Sequence, residues 1–219
     1  AKVVERNDGY TVRRYLPRVE AAFARIEWWK HRENGCHWRV ISSDNVTHLL
    51  GLTDDGQIAD PKDPTKIFQW LLQASFDDKG NAAIYGYRPE DRMGCGTSRL
   101  SESHRADSGT FSNRHLAFIA YGNRSAFYPE TGSDYLPSIL AALQSAQPHD
   151  AADWHFRILL DYGDHPDATH DKFSSRDWLA RKDAFSSYRS GFEIRNYRLC
   201  RRILFLNRIS IETDGAETG

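Results

Sequence analysis

Residues 178–205, which read WLARKDAFSSYRSGFEIRNYRLCRRILF, decide the fold of this chain. A charged, turn-rich segment at 181–190 gives way at Gly191 to a long β-prone run. The apolar residues of that run keep a period of two, with a one-residue slip near Asn196 of the kind that a β-bulge produces. They are Phe192 and Ile194 before the slip, then Tyr197, Leu199, Ile203 and Phe205. The pattern predicts one interior strand over residues 191–205.

The opposite face of this predicted strand is rich in arginine. Its members are Arg195, Arg198, Arg201 and Arg202. A basic face for nucleic acid or phosphate is one interpretation, but the formal net charge of −1 gives the chain no general attraction for polyanions. Arginine is well suited to bidentate pairs with carboxylates, so we expect Arg198 and Arg202 to be held in ion pairs and not to face water. The candidate partners nearest in sequence are Glu193, Asp183 and Asp177.

Short β-prone runs separated by turn residues fill most of the remaining chain. Runs at 36–42 and 46–52 flank Ser43-Asp44-Asn45, where residues that tolerate positive φ predict a tight hairpin. Runs at 67–76 and 82–88 flank Asp77-Asp-Lys-Gly-Asn81, a second predicted hairpin. This unit is similar in style to the hairpins of tyrosine-aspartate (RHS/YD) repeats.

The second half of the chain adds two clear elements. Residues 154–162 alternate apolar and polar side chains over nine positions, with Trp154, Phe156, Ile158, Leu160 and Tyr162 on one face, which is typical of a strand. Residues 134–145 carry apolar side chains at helical spacing and predict a helix. The sequence therefore predicts an all-β fold of many short antiparallel strands and hairpins, an RHS-like sheet or a sandwich, with one short helix. We expect residues 1–219 to form a single β region of a longer protein.

Several function classes find no support in the sequence. No apolar run approaches the roughly 20 residues that span a bilayer, and no signal peptide is visible. Three cysteines, Cys36, Cys95 and Cys200, are an odd number without a Cys-x-x-Cys pair, which predicts reduced thiols and no disulfide scaffold or structural zinc. Cys200 is expected within the predicted strand.

A loop at 161–171 gathers the only notable candidate ligands. They are Asp161, Asp164, His165 and His170. Their spacing does not match a calcium loop, and the two histidines lack a third soft ligand for zinc. A solvated loop is therefore favoured over a weak metal site. Without a Gly-x-Ser-x-Gly elbow or another matched constellation, we expect no catalytic residue and no cofactor.

The stretch 181–204 fits the pattern R-x-D-x-F-S-x-Y-R-x-G-F-E-[IV]-R-x-Y-R-L-C-R-R-[IV]-L, which resembles the N-terminal region of the SpvB family. That family includes Salmonella virulence plasmid B proteins and the B components of insecticidal toxin complexes. The structural motif is carried by Arg181, Asp183, Phe185, Ser186, Tyr188, Gly191, Phe192, Glu193, Arg195, Tyr197, Arg198, Leu199, Cys200, Arg201 and Arg202. The resemblance extends to segments near residues 15–27, 38–40, 77–87 and 154–163.

The resemblance implies a non-catalytic structural segment of a toxin-delivery protein, part of a shell that encloses or carries a C-terminal toxic polypeptide. The implied partners are other segments of the same shell, an RHS-repeat partner and a translocation channel component, with no nucleic acid. The implied location is secreted or extracellular within a toxin complex, and cytoplasmic before export. The family's ADP-ribosyltransferase chemistry needs Glu-x-Glu and Ser-Thr-Ser elements, which this sequence lacks. Two alternatives are a β-sandwich glycan- or protein-binding module that uses exposed Trp28, Trp29 and tyrosines, and a surface-glycan hydrolase that uses the 161–171 loop.

Overall fold

Aromatic and β-branched residues between turn residues favour short strands, and strands dominate the structure. A computed structural model describes residues 2–5, 9–19, 23–32, 35–96, 102, 111–128, 135–145, 153–165 and 178–207. The strands are β1 (Lys2–Glu5), β2 (Tyr10–Tyr15), β3 (Arg25–His31), β4 (Cys36–Ile41), β5 (Thr47–Leu50), β6 (Gln57–Asp60), β7 (Asp63–Trp70), β8 (Leu72–Phe76), β9 (Ala82–Pro89), β10 (Arg114–Asn123), β11 (Trp154–Asp161), β12 (Phe185–Ser187), β13 (Ile194–Asn196) and β14 (Arg202–Asn207). One α-helix, α1 (Tyr135–Ser145), lies within this described part of the chain.

Ten of these strands form one antiparallel sheet in the order β1-β2-β3-β4-β5-β8-β9-β10-β11-β14. Neighbours in the sheet follow one another along the chain, except where two small hairpins are inserted. The hairpin β6–β7 lies between β5 and β8, and the hairpin β12–β13 lies between β11 and β14. The predicted all-β, mostly antiparallel fold with one helix is confirmed, in its sheet form.

Both predicted hairpin turns lie where the sequence placed them. Asn45 has a φ of 62° between β4 and β5, and Gly80 has a φ of 88° between β8 and β9. A carboxylate oxygen of Asp77 accepts the backbone N–H groups of Lys79 and Asn81, each at 2.9 Å, and so closes the second turn. The prediction that 67–76 is one strand is wrong. The chain leaves β7 for β8 at Leu71, whose N–H donates to the carbonyl of Gly56 at 2.7 Å.

The core lies on one face of the sheet, beneath α1. Leu49, Ile84 and Leu159 from three strands are buried there, and Leu136 and Ile139 of α1 cover them. Both helical residues come from the apolar series at helical spacing, so the predicted helix is confirmed. Within the described residues, no helix has the length and apolar character that a membrane crossing requires.

The predicted strand over 154–162 is confirmed as β11, and Trp154 and Tyr162 at the two ends of the run are buried, but the burial between them departs from the alternation. Phe156, in the apolar series, is exposed, whereas Arg157, Leu159 and Asp161 of the other series are buried. The physical reason is that the buried carboxylate of Asp161 pairs with the partly exposed Arg202, so a polar side chain takes an inward position. Hydrophobic alternation alone therefore assigned Phe156 to the wrong side.

The prediction of one interior strand over 191–205 is wrong. The segment holds two separate strands, β13 and β14, and β14 is the outermost strand of the large sheet among the described residues. The apolar face is also misassigned, because Ile203 and Phe205 are exposed while Leu204 and Leu206 pack against the core. Four consecutive apolar residues at 203–206 carry no period that could identify the buried side.

The three cysteines are free thiols. Cys36 and Cys95 are partly buried, and Cys200 is exposed. Cys200 precedes β14 and is not within a strand, contrary to the prediction.

Candidate functional site

Arg198 lies at the centre of a buried polar network that joins three separate parts of the chain. Its Nε donates to Oε1 of Glu90 at 2.8 Å, and its Nη1 donates to the carbonyls of Trp178 at 2.8 Å and Met93 at 2.9 Å. Its Nη2 donates to the carbonyl of Asp91 at 2.9 Å and to Oδ1 of the same residue. A guanidinium has five N–H donors, so each of them is satisfied although the side chain is fully buried.

Glu90 is the buried counter-charge of this arginine, with both side chains inaccessible to solvent. Besides Arg198, its carboxylate accepts the N–H groups of Tyr197 and Asp91, each at 2.9 Å. The Nε2 of His115 lies 2.9 Å from Oε2, and since a carboxylate only accepts, His115 donates there. Burial raises the pKa of Glu90, but the bonds from His115 and Tyr197 and the charge of Arg198 outweigh it, so the pKa falls below 4.5.

The indole ring of Trp178 packs against the charged groups of this network. Its Nε1 donates to the two carboxylate oxygens of Asp91 at 2.8 and 3.0 Å. The guanidinium carbons of Arg88 and Arg198 lie 3.9 and 4.2 Å from the centre of the indole ring, and such cation–π contacts gain strength when they are desolvated. The ring of His115 meets it edge-on at 5.4 Å. The indole ring therefore contacts both guanidinium groups.

A second buried cluster surrounds Glu102. Arg195 forms an ion pair with its Oε1, and the hydroxyl of Tyr197 donates to its Oε2. Burial, followed by the bond to Glu102, raises the pKa of Tyr197 to about 12. Arg195 and Tyr197 are successive motif residues on the same side of the chain, so this cluster continues the Arg198 network along the segment.

The hairpin β12–β13 is closed by its own polar residues. Glu193 accepts bonds from the hydroxyls of Ser186 at 2.5 Å and Tyr188 at 3.0 Å, and Gly191 has a φ of 85° in the turn. The hydroxyl of Ser112, just before β10, donates to the carbonyl of Glu193 at 2.7 Å. The hairpin is thereby attached to the end of the large sheet.

Asp161 holds the beginning of β14 against the end of β11. Its Oδ2 accepts Nε of Arg202 at 2.6 Å, and its Oδ1 accepts the N–H of Gly163 at 2.7 Å. Burial raises the pKa of Asp161, but these bonds and the charge of Arg202 outweigh it, so the pKa lies below its ordinary range. Asp164 is paired with Arg88 at 3.1 Å.

The candidate metal ligands are therefore engaged in contacts within the fold where they are described. The imidazole Nε2 of His165 lies 3.9 Å from Oδ1 of Asp164, and the backbone N–H of His165 donates to Asp161 at 3.3 Å. His170 lies outside the described residues. Among the described residues, no group of three or more histidine, cysteine, aspartate or glutamate side chains is arranged to hold a metal ion.

The remaining motif residues lie at the surface or between the clusters. Arg181 and Asp183 form an exposed bidentate pair at 2.9 and 2.8 Å, and the Arg181 guanidinium lies over the ring of Phe185. Phe192 is partly buried, and Leu199, Cys200 and Arg201 are exposed.

The predicted ion pairing of Arg198 and Arg202 is confirmed, although the side chain of Arg202 remains partly exposed. Asp183 and Glu193, two of the three predicted partners, are engaged elsewhere. Asp183 pairs with Arg181, Glu193 bonds hydroxyls of its own hairpin, and Asp177 lies outside the described residues. The partners in the structure are Glu90, Asp91 and Asp161. These acidic residues lie at the ends of strands that are far away in sequence from the arginines. An acidic residue directly after a β-prone run was the sequence feature that could have identified them as partners.

These contacts also bear on the alternative interpretations. Arg195 and Arg198 are buried, so they do not form a basic surface for a polyanion. Trp29, a proposed exposed binding ring, is buried and donates its Nε1 to Glu27 at 3.0 Å. Trp28 is partly buried, and the guanidinium of Arg13 lies over its ring at 5.3 Å.

The fold and the site together define a structural β-sheet module, whose charged residues are used to hold its own segments together. The chain belongs to the SpvB family, since the family described as "Salmonella virulence plasmid 65kDa B protein" matches residues 1–209. The membership that the motif predicted is confirmed.

The curated relatives are longer than this chain, and the similarity covers only part of their length. The Mono(ADP-ribosyl)transferase SpvB of Salmonella typhimurium strain 14028s is 33% identical over 213 residues, which cover 95% of this chain and 33% of that protein. This chain therefore spans about a third of the curated relatives that it matches.

Solved structures of related proteins have a similar fold over most of this chain. The N-terminal domain of the effector protein SpvB from Salmonella typhimurium strain LT2 has a TM-score of 0.75 at 33% identity, covering 91% of this chain and 59% of that one. The TcdB2-TccC3 structure has a TM-score of 0.74 at 34% identity, covering 90% of this chain and 9% of that one. The Photorhabdus luminescens Tc holotoxin pore gives the same TM-score, 0.74, at 34% identity, with 90% and 9% coverage.

Proposed function

We propose that this chain is a non-catalytic structural segment of a toxin-delivery protein, contributing to the shell that encloses or carries a C-terminal toxic polypeptide. The observation that carries the proposal is the similarity to TcdB2-TccC3, which extends over 90% of this chain. The match to the N-terminal domain of SpvB supports it further, because this sequence lacks the Glu-x-Glu and Ser-Thr-Ser elements that the family's ADP-ribosyltransferase chemistry needs.

The internal contacts favour a structural role. A catalytic site needs polar groups that are free to meet a substrate, and such groups commonly have pKa values matched to proton transfer. Here the pKa values of Glu90 and Asp161 are lowered by neighbouring groups that donate hydrogen bonds to their carboxylate oxygens. These oxygens are therefore not free to meet a substrate. A wide antiparallel sheet in which the buried charges of Glu90, Arg198 and Asp161 are paired is suited to form a wall around a passenger.

The proposal includes partners and location. The partners are other segments of the same shell, an RHS-repeat partner and a translocation channel component. The protein is made in the cytoplasm and acts outside the cell as part of a toxin complex.

The test uses the complete natural polypeptide that contains this chain, co-expressed with its toxic polypeptide. We expect the toxic polypeptide to survive a protease concentration that digests it when it is alone. Arg198→Ala should reduce that protection, and Arg32→Ala, a change at an exposed bend, is the matched control. Equal digestion with and without the protein would contradict a shell.

A second measurement addresses the absence of catalysis. The 219-residue chain is assayed for ADP-ribosyl transfer, glycosidase and esterase turnover, and each rate should equal the uncatalysed background. Turnover that is lost in a folded Asp164→Ala or His165→Ala variant would contradict the proposal and favour the hydrolase alternative.

A further inference from the structure

A pocket of about 410 Å³ lies beside the beginning of β10. Pro89 and Arg114, which lie opposite each other at the end of the β9–β10 ladder, line it together with residues of the inserted hairpin β6–β7. Small-molecule sites in proteins have volumes of about 300–1,000 Å³, with apolar walls and a few polar groups that orient the ligand. This pocket has that size, and none of its lining residues belongs to the Arg198 network.

The apolar part of the lining consists mainly of rings that are held in place. The ring of Phe111 meets that of Tyr197 edge-on, with ring centres 5.8 Å apart. The others are prolines, whose rings fix φ and which carry no backbone N–H. They are Pro61, Pro64 and Pro89. Because such groups lose little freedom when a ligand binds, the pocket offers preformed apolar surface.

Arg114 adds a fixed guanidinium to this pocket. Its Nη1 donates to the carbonyls of Phe111, Ser112 and Asn113 at 3.2, 3.3 and 3.1 Å. Its Nε donates to the carbonyl of Asp54 at 3.3 Å. Within the described part of the chain, Nη2 makes no hydrogen bond. The two N–H donors of Nη2 are therefore left for a ligand.

Two carboxylates line the same pocket and have acceptor capacity to spare. Oδ1 of Asp60 accepts the backbone N–H of Lys62 at 2.9 Å, whereas its Oδ2 accepts nothing from the described residues. The side chain of Asp54 likewise accepts no hydrogen bond from them. An anion would meet two like charges here, and a cation would meet the guanidinium of Arg114. The pocket therefore favours a neutral ligand.

We infer that this pocket binds a neutral saccharide of one or two rings. A hydroxyl group donates one hydrogen bond and accepts others, so sugar hydroxyls donate to the carboxylates of Asp54 and Asp60 and accept from Nη2 of Arg114. The C–H faces of the sugar rings are apolar and pack against Phe111 and the prolines. The inference goes beyond the proposed function, because a shell wall needs no small ligand.

A peptide matches these groups less well than a sugar does. In a peptide the N–H only donates and the C=O only accepts, whereas each hydroxyl does both and suits a guanidinium beside carboxylates. The pocket is also separate from the glycan-binding alternative that used Trp28 and Trp29, since neither ring lines it.

The test uses the complete natural polypeptide that contains this chain. The probes are glucose, galactose, N-acetylglucosamine, maltose, lactose and cellobiose, with trialanine as the peptide probe. Saturation-transfer difference NMR identifies the probes that bind, and isothermal titration calorimetry gives the Kd. We expect at least one sugar to bind, with saturation transferred to its C–H protons, and trialanine to give no signal.

Asp60→Asn tests the polar side of the site. The amide oxygen of asparagine still accepts the N–H of Lys62, but the charge that accepts the sugar hydroxyl is lost, so the Kd should rise on the order of 10-fold. Asp63→Asn is the matched control. Oδ1 of Asp63 accepts the N–H of Thr65 at 3.3 Å on the same hairpin, and Asp63 does not line the pocket.

Phe111→Leu tests the apolar side. Leucine keeps an apolar side chain but removes the flat ring, so the Kd should rise roughly 2- to 10-fold. Phe68→Leu is the control, because Phe68 is exposed on β7 and lies outside the pocket. The melting temperature of each variant establishes that it is folded.

The outcomes separate this inference from the proposed function. Absence of binding by every sugar, while the toxic polypeptide stays protected from protease, would overturn the inference and leave the shell intact. Sugar binding that is unchanged in Asp60→Asn and Phe111→Leu would also overturn it, because the sugar would lie elsewhere. A trialanine signal that is lost in Asp60→Asn, without any sugar signal, would identify a peptide site instead. Sugar binding weakened in these two variants, but not in Asp63→Asn or Phe68→Leu, supports the inference.

Discussion

Arg198 and Glu90 lie 108 residues apart in sequence, yet Nε of one and Oε1 of the other are 2.8 Å apart in the structure, with both side chains fully buried. The pair joins the segment between β13 and β14 to the end of β9. Because β14 enters the sheet only after this segment, the pair helps to determine where the last strand begins. The motif arginine is thus a structural anchor, with a satisfied partner for every donor.

Removal of the Arg198 side chain should therefore be costly. Arg198→Ala leaves Glu90 buried without its counter-charge, and breaking a buried pair costs roughly 3–5 kcal/mol. Arg32→Ala, at an exposed bend, should change the free energy of unfolding by about 0.5 kcal/mol or less. Chemical denaturation of both variants, with equal m-values, measures the difference. Equal small losses would mean that Arg198 is solvated.

Gly80 is required by the turn between β8 and β9. A Cβ added there would lie 2.9 Å from Cβ of Ala126 and from Cζ of Tyr128, at a φ of +88°. Gly80→Val should therefore reduce the free energy of unfolding by roughly 1 kcal/mol or more, since a β-branched residue is strained at positive φ. Gly96→Val, with nothing within 4 Å and no positive φ, is the control in a thermal or chemical melt. A neutral Gly80→Val would contradict this account.

His37 should make the protein sensitive to mild acid. Burial, followed by the charge of Arg39, lowers the pKa of His37 from 6.5 to about 4. The folded state therefore favours the neutral ring, so its contribution is complete above pH 6.5 and is lost as the pH falls from 6.5 towards 4. At 1.36 kcal/mol for each pKa unit, the loss is about 3 kcal/mol.

The measurement for His37 is the free energy of unfolding as a function of pH. His37→Gln removes the titrating group, so its curve should be flatter between pH 6.5 and 4, whatever the stability at pH 7. Below this window both proteins lose stability together, because the lowered pKa values of Glu90 and Asp161 make their contributions disappear in acid. Parallel curves between pH 6.5 and 4 would contradict the role of His37.

Local patterns predicted local structure well. The turns at Asn45 and Gly80 depend on residues that tolerate positive φ, and α1 depends on a spacing contained within 12 residues. The arginine pairing was also predictable, because the chain has a balanced charge and a strand face that repeats arginine.

Long-range partners were not predictable, for a physical reason. Glu90 and Asp161 reach their arginines only after the sheet has been assembled, and nothing within 190–205 specifies which strand end will lie opposite. Phe156 of β11 and Phe205 of β14 were assigned to the wrong side for two different reasons. In β11 the buried carboxylate of Asp161 pairs with Arg202 while Phe156 stays exposed. In β14 the four consecutive apolar residues 203–206 carry no period that identifies the buried side.

Asp161 provides the last prediction, which separates a structural carboxylate from a metal ligand. Its two oxygens accept Arg202 and the backbone N–H of Gly163, so Asp161→Asn loses the charge that both bonds use. Hydrogen bonds to charged groups contribute about 1.5–3 kcal/mol, and we expect Asp161→Asn to reduce the free energy of unfolding by about that amount. Asp55→Asn, at an exposed position, is the control and should be nearly neutral. Because the stabilisation comes from Arg202 and the backbone, neither EDTA nor added calcium or zinc should change the melting temperature of the unmodified protein. A melting temperature that rises with metal concentration, and no longer does so in Asp161→Asn, would instead identify the 161–171 loop as a metal site.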